Sequence, residues 1–70
     1  MIIRGTSTYL ELESGFWGIV TEDNDYLPLN MPEQLKTKGS EVECSVRIRE
    51  DVMTMHYWGQ PCEIISFKTI

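Results

Sequence analysis

The chain has 70 residues, 41% hydrophobic and 24% charged, which corresponds to one small globular domain. Its six basic and eleven acidic residues give a formal net charge of −5, which argues against nonspecific binding to nucleic acid or anionic membranes. So short a chain also leaves little room for the walls and lid of a multi-step enzyme site.

Strand patterns dominate the first half of the chain. Three strands are predicted, at residues 6–13, 16–21 and 26–29. The prediction rests on alternation of apolar and polar residues, or on a high content of β-branched and aromatic residues. Ser14 and Gly15 form a turn candidate between the first two, and the polar residues 22–25 form another before the third. Pro28 has no N–H, so we expect its nitrogen to face away from any partner strand.

One helix is predicted after the third strand. Asn30 can act as its N-cap, Pro32 lies in its first turn, Glu33 occupies the capping-box position and Gly39 can serve as its C-cap. Leu35 is the expected buried residue. A helix of about two turns would not be stable alone, so it must pack on the strands.

Two further strands are predicted in the second half. Residues 41–49 alternate cleanly, with Val42, Cys44, Val46 and Ile48 on one face, and residues 62–67 form the last strand. Residues 52–58 between them are either strand or loop. Three strands, a short helix and two strands is the order of an OB-type barrel. We therefore predict a single, mainly β domain over residues 1–70, a five-stranded OB-like barrel, with an SH3-like barrel as the alternative.

The location of the protein is predicted from two features. Glu11 and Glu13 interrupt the N-terminal region, and no long apolar run occurs, so neither a signal peptide nor a transmembrane helix is expected. The expected location is the cytoplasm, where thiols stay reduced. We expect Cys44 and Cys62 to be buried free thiols, with a disulfide between them as the alternative.

Three segments carry a resemblance to other proteins. They are Gly15-Phe16-Trp17-Gly18-Ile19, then Tyr26-Leu27-Pro28-Leu29-Asn30-Met31-Pro32, and a final segment that runs from His56-Tyr57-Trp58-Gly59 to Ile65. Together they resemble a group of small, uncharacterised prokaryotic proteins with G-F-W-G-I, Y-x-P-x-N-L-P and H-x-W-G motifs. The resemblance covers most of the chain and favours a stand-alone module. It implies no activity, substrate or cofactor.

The aromatic residues are the candidates for ligand contacts. In OB folds the second and third strands, with the loops joining strands 1–2 and 4–5, form the usual binding surface. The side chains predicted there are Phe16, Trp17, Tyr26, His56, Tyr57 and Trp58. Alternation places Phe16 and Trp17 on opposite faces, so at least one should fill the core. We also expect the Trp58 ring to be at least partly buried against the barrel end.

Other chemistries find little support. His56, Met53, Met55 and the cysteines lack the spacing of a structural metal site. Neither cysteine lies in a nucleophile motif, and no glycine-rich phosphate loop occurs. We expect no catalytic residue, no metal and no cofactor. The basic side chains Arg47 and Arg49 are expected to form cross-strand ion pairs.

The predicted function is therefore a non-enzymatic binding module that recognises a protein or a small ligand through an aromatic face. One alternative is an OB domain that binds single-stranded nucleic acid, on fold analogy alone. The other is a structural subunit of a homo-oligomer. A membrane partner is not expected.

Overall fold

A computed structural model describes residues 1–12, 14–53 and 58–70. Its strands are β1 (Ile2–Leu10), β2 (Phe16–Val20), β3 (Asp25–Pro28), β4 (Glu41–Ile48) and β5 (Gln60–Thr69). They form a closed barrel in the order β1–β2–β3–β5–β4. β3 and β5 are parallel, and every other neighbouring pair is antiparallel. The predicted small OB-like barrel is confirmed, with the Greek-key order of that fold, and the SH3-like alternative is set aside.

β1 closes the barrel because its two halves pair with different strands, β4 and β2. Its first half lies beside β4, from Ile2 opposite Ser45 to Thr6 opposite Glu41, and its second half lies beside β2. β1 begins four residues earlier than the alternation indicated, because that pattern is broken at Arg4 and Gly5. A Cβ at Gly5 would lie 2.9 Å from Ile19 Cγ2. Glycine is thus needed where β1 approaches β2.

The core consists of inward-facing side chains from all five strands. The buried hydrophobic residues of this cluster are Ile3, Ile19, Tyr26, Leu35, Val42, Cys44, Val46, Cys62 and Ile64. The predicted inward face of β4 is confirmed for Val42, Cys44 and Val46, while Ile48 is only partly buried against the core. Cys44 and Cys62 are buried free thiols, as expected.

The predicted two-turn helix is wrong. The segment forms a single 3₁₀ turn at Glu33–Leu35, preceded by Pro32 in an extended conformation and without a side-chain cap. Asn30 does not cap it, because its carboxamide is bonded to β5: Nδ2 donates to Ile64 O at 2.9 Å, and Oδ1 accepts from Ile64 N at 2.8 Å. Leu35 is nevertheless fully buried, as predicted.

Ser7 attaches this segment to the barrel. Its N–H donates to Ser40 O at 2.8 Å, its carbonyl accepts from Gly39 N at 2.9 Å, and its hydroxyl donates to Leu35 O. Ser7 is itself fully buried. These three bonds hold Leu35 in the core without a regular helix. Within the described residues, no helix has the length and apolar character needed to span a bilayer.

Candidate ligand-binding cleft

β2 and β3 separate after only two residue pairs. Ile19 lies opposite Tyr26 and Val20 opposite Asp25, and the ladder stops there. Leu29 N–H donates to Cys62 O on β5. Because N–H groups alternate in direction along a strand, the nitrogen of Pro28 faces β2. In a continued register it would lie opposite Trp17, where it has no hydrogen to donate, so the next bond of the ladder is missing. Pro28 therefore lies where the pairing of β2 with β3 ends. The expectation that its nitrogen faces away from any partner strand is wrong, because it faces β2.

The separation leaves a cleft of about 520 Å³ between the two strands. It is lined by residues 15–17, residues 27–31, Tyr9 and Lys36. We call this the β2–β3 cleft. The Trp17 ring meets the Tyr9 ring edge to face, with centroids 5.3 Å apart and planes at 65°. The two strands thus border the cleft with aromatic and aliphatic side chains, the lining typical of ligand pockets.

Gly15 shapes one end of the cleft. Its φ of +85° is in the left-handed region, and its N–H donates to Leu12 O at 2.8 Å to close the turn between β1 and β2. A Cβ there would lie 2.7 Å from Tyr9 Cζ. Only glycine allows both the turn and the position of the Tyr9 ring.

The charge at the cleft is positive, in contrast to the whole chain. Among the lining residues within the described part of the chain, Lys36 is the one Lys, Arg, Asp or Glu residue. Lys38 Nζ lies 5.7 Å from the centroid of the Tyr9 ring, a cation–π distance. Lys36 Nζ also contacts Glu33 Oε1 at 2.9 Å, but the Glu33 side chain is 85% exposed.

Trp58 covers the outer face of β2. A Cβ at Gly18 would lie 2.5 Å from Trp58 Cη2, so the indole ring rests directly on the glycine backbone. The Phe16 ring contacts it edge to face, with centroids 5.7 Å apart. The predicted partial burial of Trp58 is confirmed. The predicted position at the barrel end is wrong, because its neighbours Gly18 and Phe16 lie on β2 and the ring packs along the side of the barrel.

The predicted aromatic residues therefore separate into different environments. Phe16 borders the cleft and contacts Trp58, while Trp17 is paired with Tyr9. Both are partly buried, so neither is a full core residue. Tyr26 is only 7% exposed and belongs to the core. His56 and Tyr57 lie outside the described residues.

Within the described residues, salt bridges involve Arg4, Lys36, Arg47, Arg49 and Lys68. Arg47 pairs with Glu63 at 2.7 Å, and Glu43 pairs with Arg4 at 2.6 Å and Lys68 at 3.3 Å, in each case across neighbouring strands. The hydrogen bond from Arg4 and the nearby Lys68 hold the pKa of Glu43 below its usual value, against an opposing effect of desolvation. The expected cross-strand ion pairing is confirmed for Arg47; Arg49 pairs instead with Asp51, within its own segment.

The described cysteines are poorly suited to nucleophilic chemistry. Burial raises the pKa of Cys62 to about 11, with a smaller contribution from Cys44, and burial also raises the pKa of Cys44. A thiol needs a lowered pKa to be reactive near neutral pH. These two side chains are core residues.

A second cavity, of about 480 Å³, lies beside the first half of β1. Its lining comprises residues 1–4, the turn residues 21–24 and Tyr26, which include the exposed Glu22 and Asp23. Of the predicted aromatic residues that the structure describes, it contains Tyr26 alone. The β2–β3 cleft holds Phe16 and Trp17 on the strands that OB barrels use for binding, so it is the stronger candidate.

Several cleft residues were not among the sequence candidates. Tyr9, Leu29, Met31 and Lys36 line it, yet none stands out in a search for aromatic clusters. The available signal was Pro28: a proline in a short central strand indicates that pairing stops there. No protein-family model, curated protein or solved structure matches the chain.

Proposed function

We propose that this protein is a non-enzymatic binding module that holds a protein segment or a small ligand in the β2–β3 cleft. The observation that carries the proposal is the cleft itself, which opens where Pro28 ends the ladder and is bordered by Trp17 and Tyr9. We also propose that the protein acts in the cytoplasm, where Cys44 and Cys62 stay reduced.

Two features support a ligand at this position. The cleft lies between the second and third strands, beside the loop joining β1 and β2, which is the usual binding region of OB barrels. Partly buried aromatic rings contribute large contact areas at little entropic cost, so they are effective anchors for a ligand.

Single-stranded nucleic acid is the competing ligand class. Its binding requires cations that are free to neutralise phosphates. Here Arg4, Arg47, Arg49 and Lys68 contact carboxylates away from the cleft. Of the described basic residues, Lys36 and Lys38 alone lie beside the cleft, which is few for a phosphate backbone in a chain with a net charge of −5. This arrangement favours a module that binds a protein segment or a small ligand over one that binds single-stranded nucleic acid.

Single-tryptophan variants test the proposal. Trp58→Phe keeps only Trp17, in the cleft, and Trp17→Phe keeps only Trp58, on the outer face of β2. Both are titrated with neutral probes that do not absorb at the tryptophan excitation wavelength, such as N-acetylphenylalanine amide and benzyl alcohol. We expect a saturable change in Trp17 emission and none in Trp58 emission.

Two results would change the assignment. If no probe alters Trp17 emission, the cleft is not a binding site. If a thymidine dodecamer alters either signal, and the effect weakens steeply between 50 and 200 mM salt, nucleic-acid binding takes its place. Sedimentation at two protein concentrations separates both outcomes from a ligand-free homo-oligomer.

A further inference from the structure

We infer that the ligand of the β2–β3 cleft is an extended peptide whose apolar side chains are flanked by acidic residues. This inference rests on the proposed function and narrows its ligand to one chemical class. Three properties of the cleft carry it: the charge at its edge, the backbone group that faces it and the side chains along its opening.

The charge favours an acidic ligand. Lys36 lines the cleft and Lys38 lies over Tyr9, and no carboxylate is among the lining residues that the structure describes. The whole chain has a net charge of −5, so the lysines at the cleft stand out against a surface that on balance repels anions. The contact between Lys36 and Glu33 does not prevent binding, because a pair with an 85% exposed carboxylate is weak and a ligand carboxylate can replace it.

The backbone favours a peptide. Continuing the β2–β3 register by two residues would set Trp17 opposite Pro28, whose nitrogen has no hydrogen for the Trp17 carbonyl. A peptide in extended conformation can supply that N–H, in the manner of a strand added to a sheet edge. A fatty acid or another small amphiphilic anion has the charge and the apolar part, but it has no such donor.

The opening of the cleft suits alternating side chains. Leu29 is 43% exposed and Met31 is partly buried against the core, so the cleft presents apolar surface along its length. Met31 can adapt its shape to different apolar partners because its side chain is unbranched. An extended peptide would direct every second side chain toward this surface.

The test uses two blocked heptapeptides and two double variants. The acidic peptide has a central leucine–phenylalanine–leucine flanked on each side by two aspartates, and the matched peptide has lysines in place of the aspartates. Affinities are measured by calorimetry on the full chain at low salt. Lys36→Gln with Lys38→Gln removes two charges at the cleft. Arg47→Gln with Lys68→Gln removes two charges on β4 and β5, so the net charge of both variants is equal.

We expect the acidic peptide to bind at least tenfold more tightly than the lysine peptide. Lys36→Gln with Lys38→Gln should lower the affinity for the acidic peptide about tenfold, because each lost surface charge interaction lowers it by up to about fivefold. The control variant should lose less than about twofold. The inference is overturned if the lysine peptide binds as well, if both variants lose equally, or if decanoate alters Trp17 emission while neither peptide binds.

The outcomes separate this inference from the function on which it rests. If neutral probes still alter Trp17 emission but both peptides fail to bind, the cleft remains a ligand site and the peptide assignment is wrong. If neither probes nor peptides reach Trp17, both proposals fail together.

Discussion

Gly18 is the residue on which the outer surface of β2 depends. Its missing side chain provides the space that the Trp58 indole occupies, and Leu10 Cδ2 would be 3.3 Å from a Cβ at the same point. The sequence predicted that Trp58 would be partly buried. It did not predict the partner, because glycine in a strand is equally consistent with a bend, a bulge or close packing of a ring.

Gly18→Ala should destabilise the protein by about 1–3 kcal/mol, because the added methyl group overlaps the indole. The control is the same substitution in a Trp58→Ala background, where the overlap is absent. In that background Gly18→Ala should lower the free energy of unfolding by about 0.5 kcal/mol or less, which would show that residues 18 and 58 interact directly. Urea unfolding of the four proteins gives this comparison. Equal costs in both backgrounds would show that Trp58 does not rest on Gly18.

Cys62 makes stability depend on pH in the alkaline range. Its pKa is raised by burial from an ordinary value of 9.0 to about 11. The folded state therefore holds the thiol proton more tightly than the unfolded state does. This contribution is complete below pH 9 and is lost as the pH rises toward 11.

We expect the urea midpoint of the parent to fall between pH 9 and 11, and to fall less steeply in Cys62→Ala. The variant should be less stable at neutral pH, since truncation leaves a cavity, so the slope against pH is the quantity compared. An identical slope in the two proteins would show that Cys62 is not protected from ionisation.

At the scale of elements, Asn30 extends the pairing of β3 with β5 beyond the end of the strand. Its carboxamide offers the donor and acceptor of a peptide group to Ile64, directly after the bond from Leu29 N to Cys62 O. The sequence assigned Asn30 to a helix cap. That choice was reasonable locally, since asparagine favours caps, but the true partner is 34 residues away.

Asn30→Asp should cost about 1–3 kcal/mol, because the carboxylate cannot donate and its charge faces the Ile64 carbonyl. Asn24→Asp, at an exposed turn position, makes the same change in charge and should stay within about 0.5 kcal/mol of the parent. Chemical unfolding measures the free energy of unfolding of both variants. Equal effects of the two substitutions would rule out the bond to β5 as the cause.

The segment between β3 and β4 shows why short elements are hard to predict. Capping residues and Gly39 suggested a helix, but only three residues form a 3₁₀ turn. Helix signals are local, whereas this segment is fixed by tertiary contacts through Ser7 and Leu35. The burial of Leu35 was predictable because the barrel end requires an apolar side chain whatever the backbone conformation.

At the scale of the whole molecule, the strand order was predictable and the cleft was not. The spacing of strand patterns indicated an OB-like barrel, and the alternation in β4 indicated its inner face. The cleft arises where β2 and β3 fail to pair, which depends on the direction of a single nitrogen at Pro28. Composition likewise identified the aromatic residues but could not show that Tyr26 is buried while Trp17 borders an opening.

The most direct test of the account is a map of amide chemical shifts in the full chain as neutral aromatic fragments are added. We predict that the largest shifts fall on residues 15–17, 27 and 29–31, with Trp17 and Leu29 among them. The amides of residues 21–24, at the second cavity, should hardly change. A map centred on residues 21–24, or one confined to the outer face of β4 and β5, would contradict the assignment of the β2–β3 cleft as the binding site.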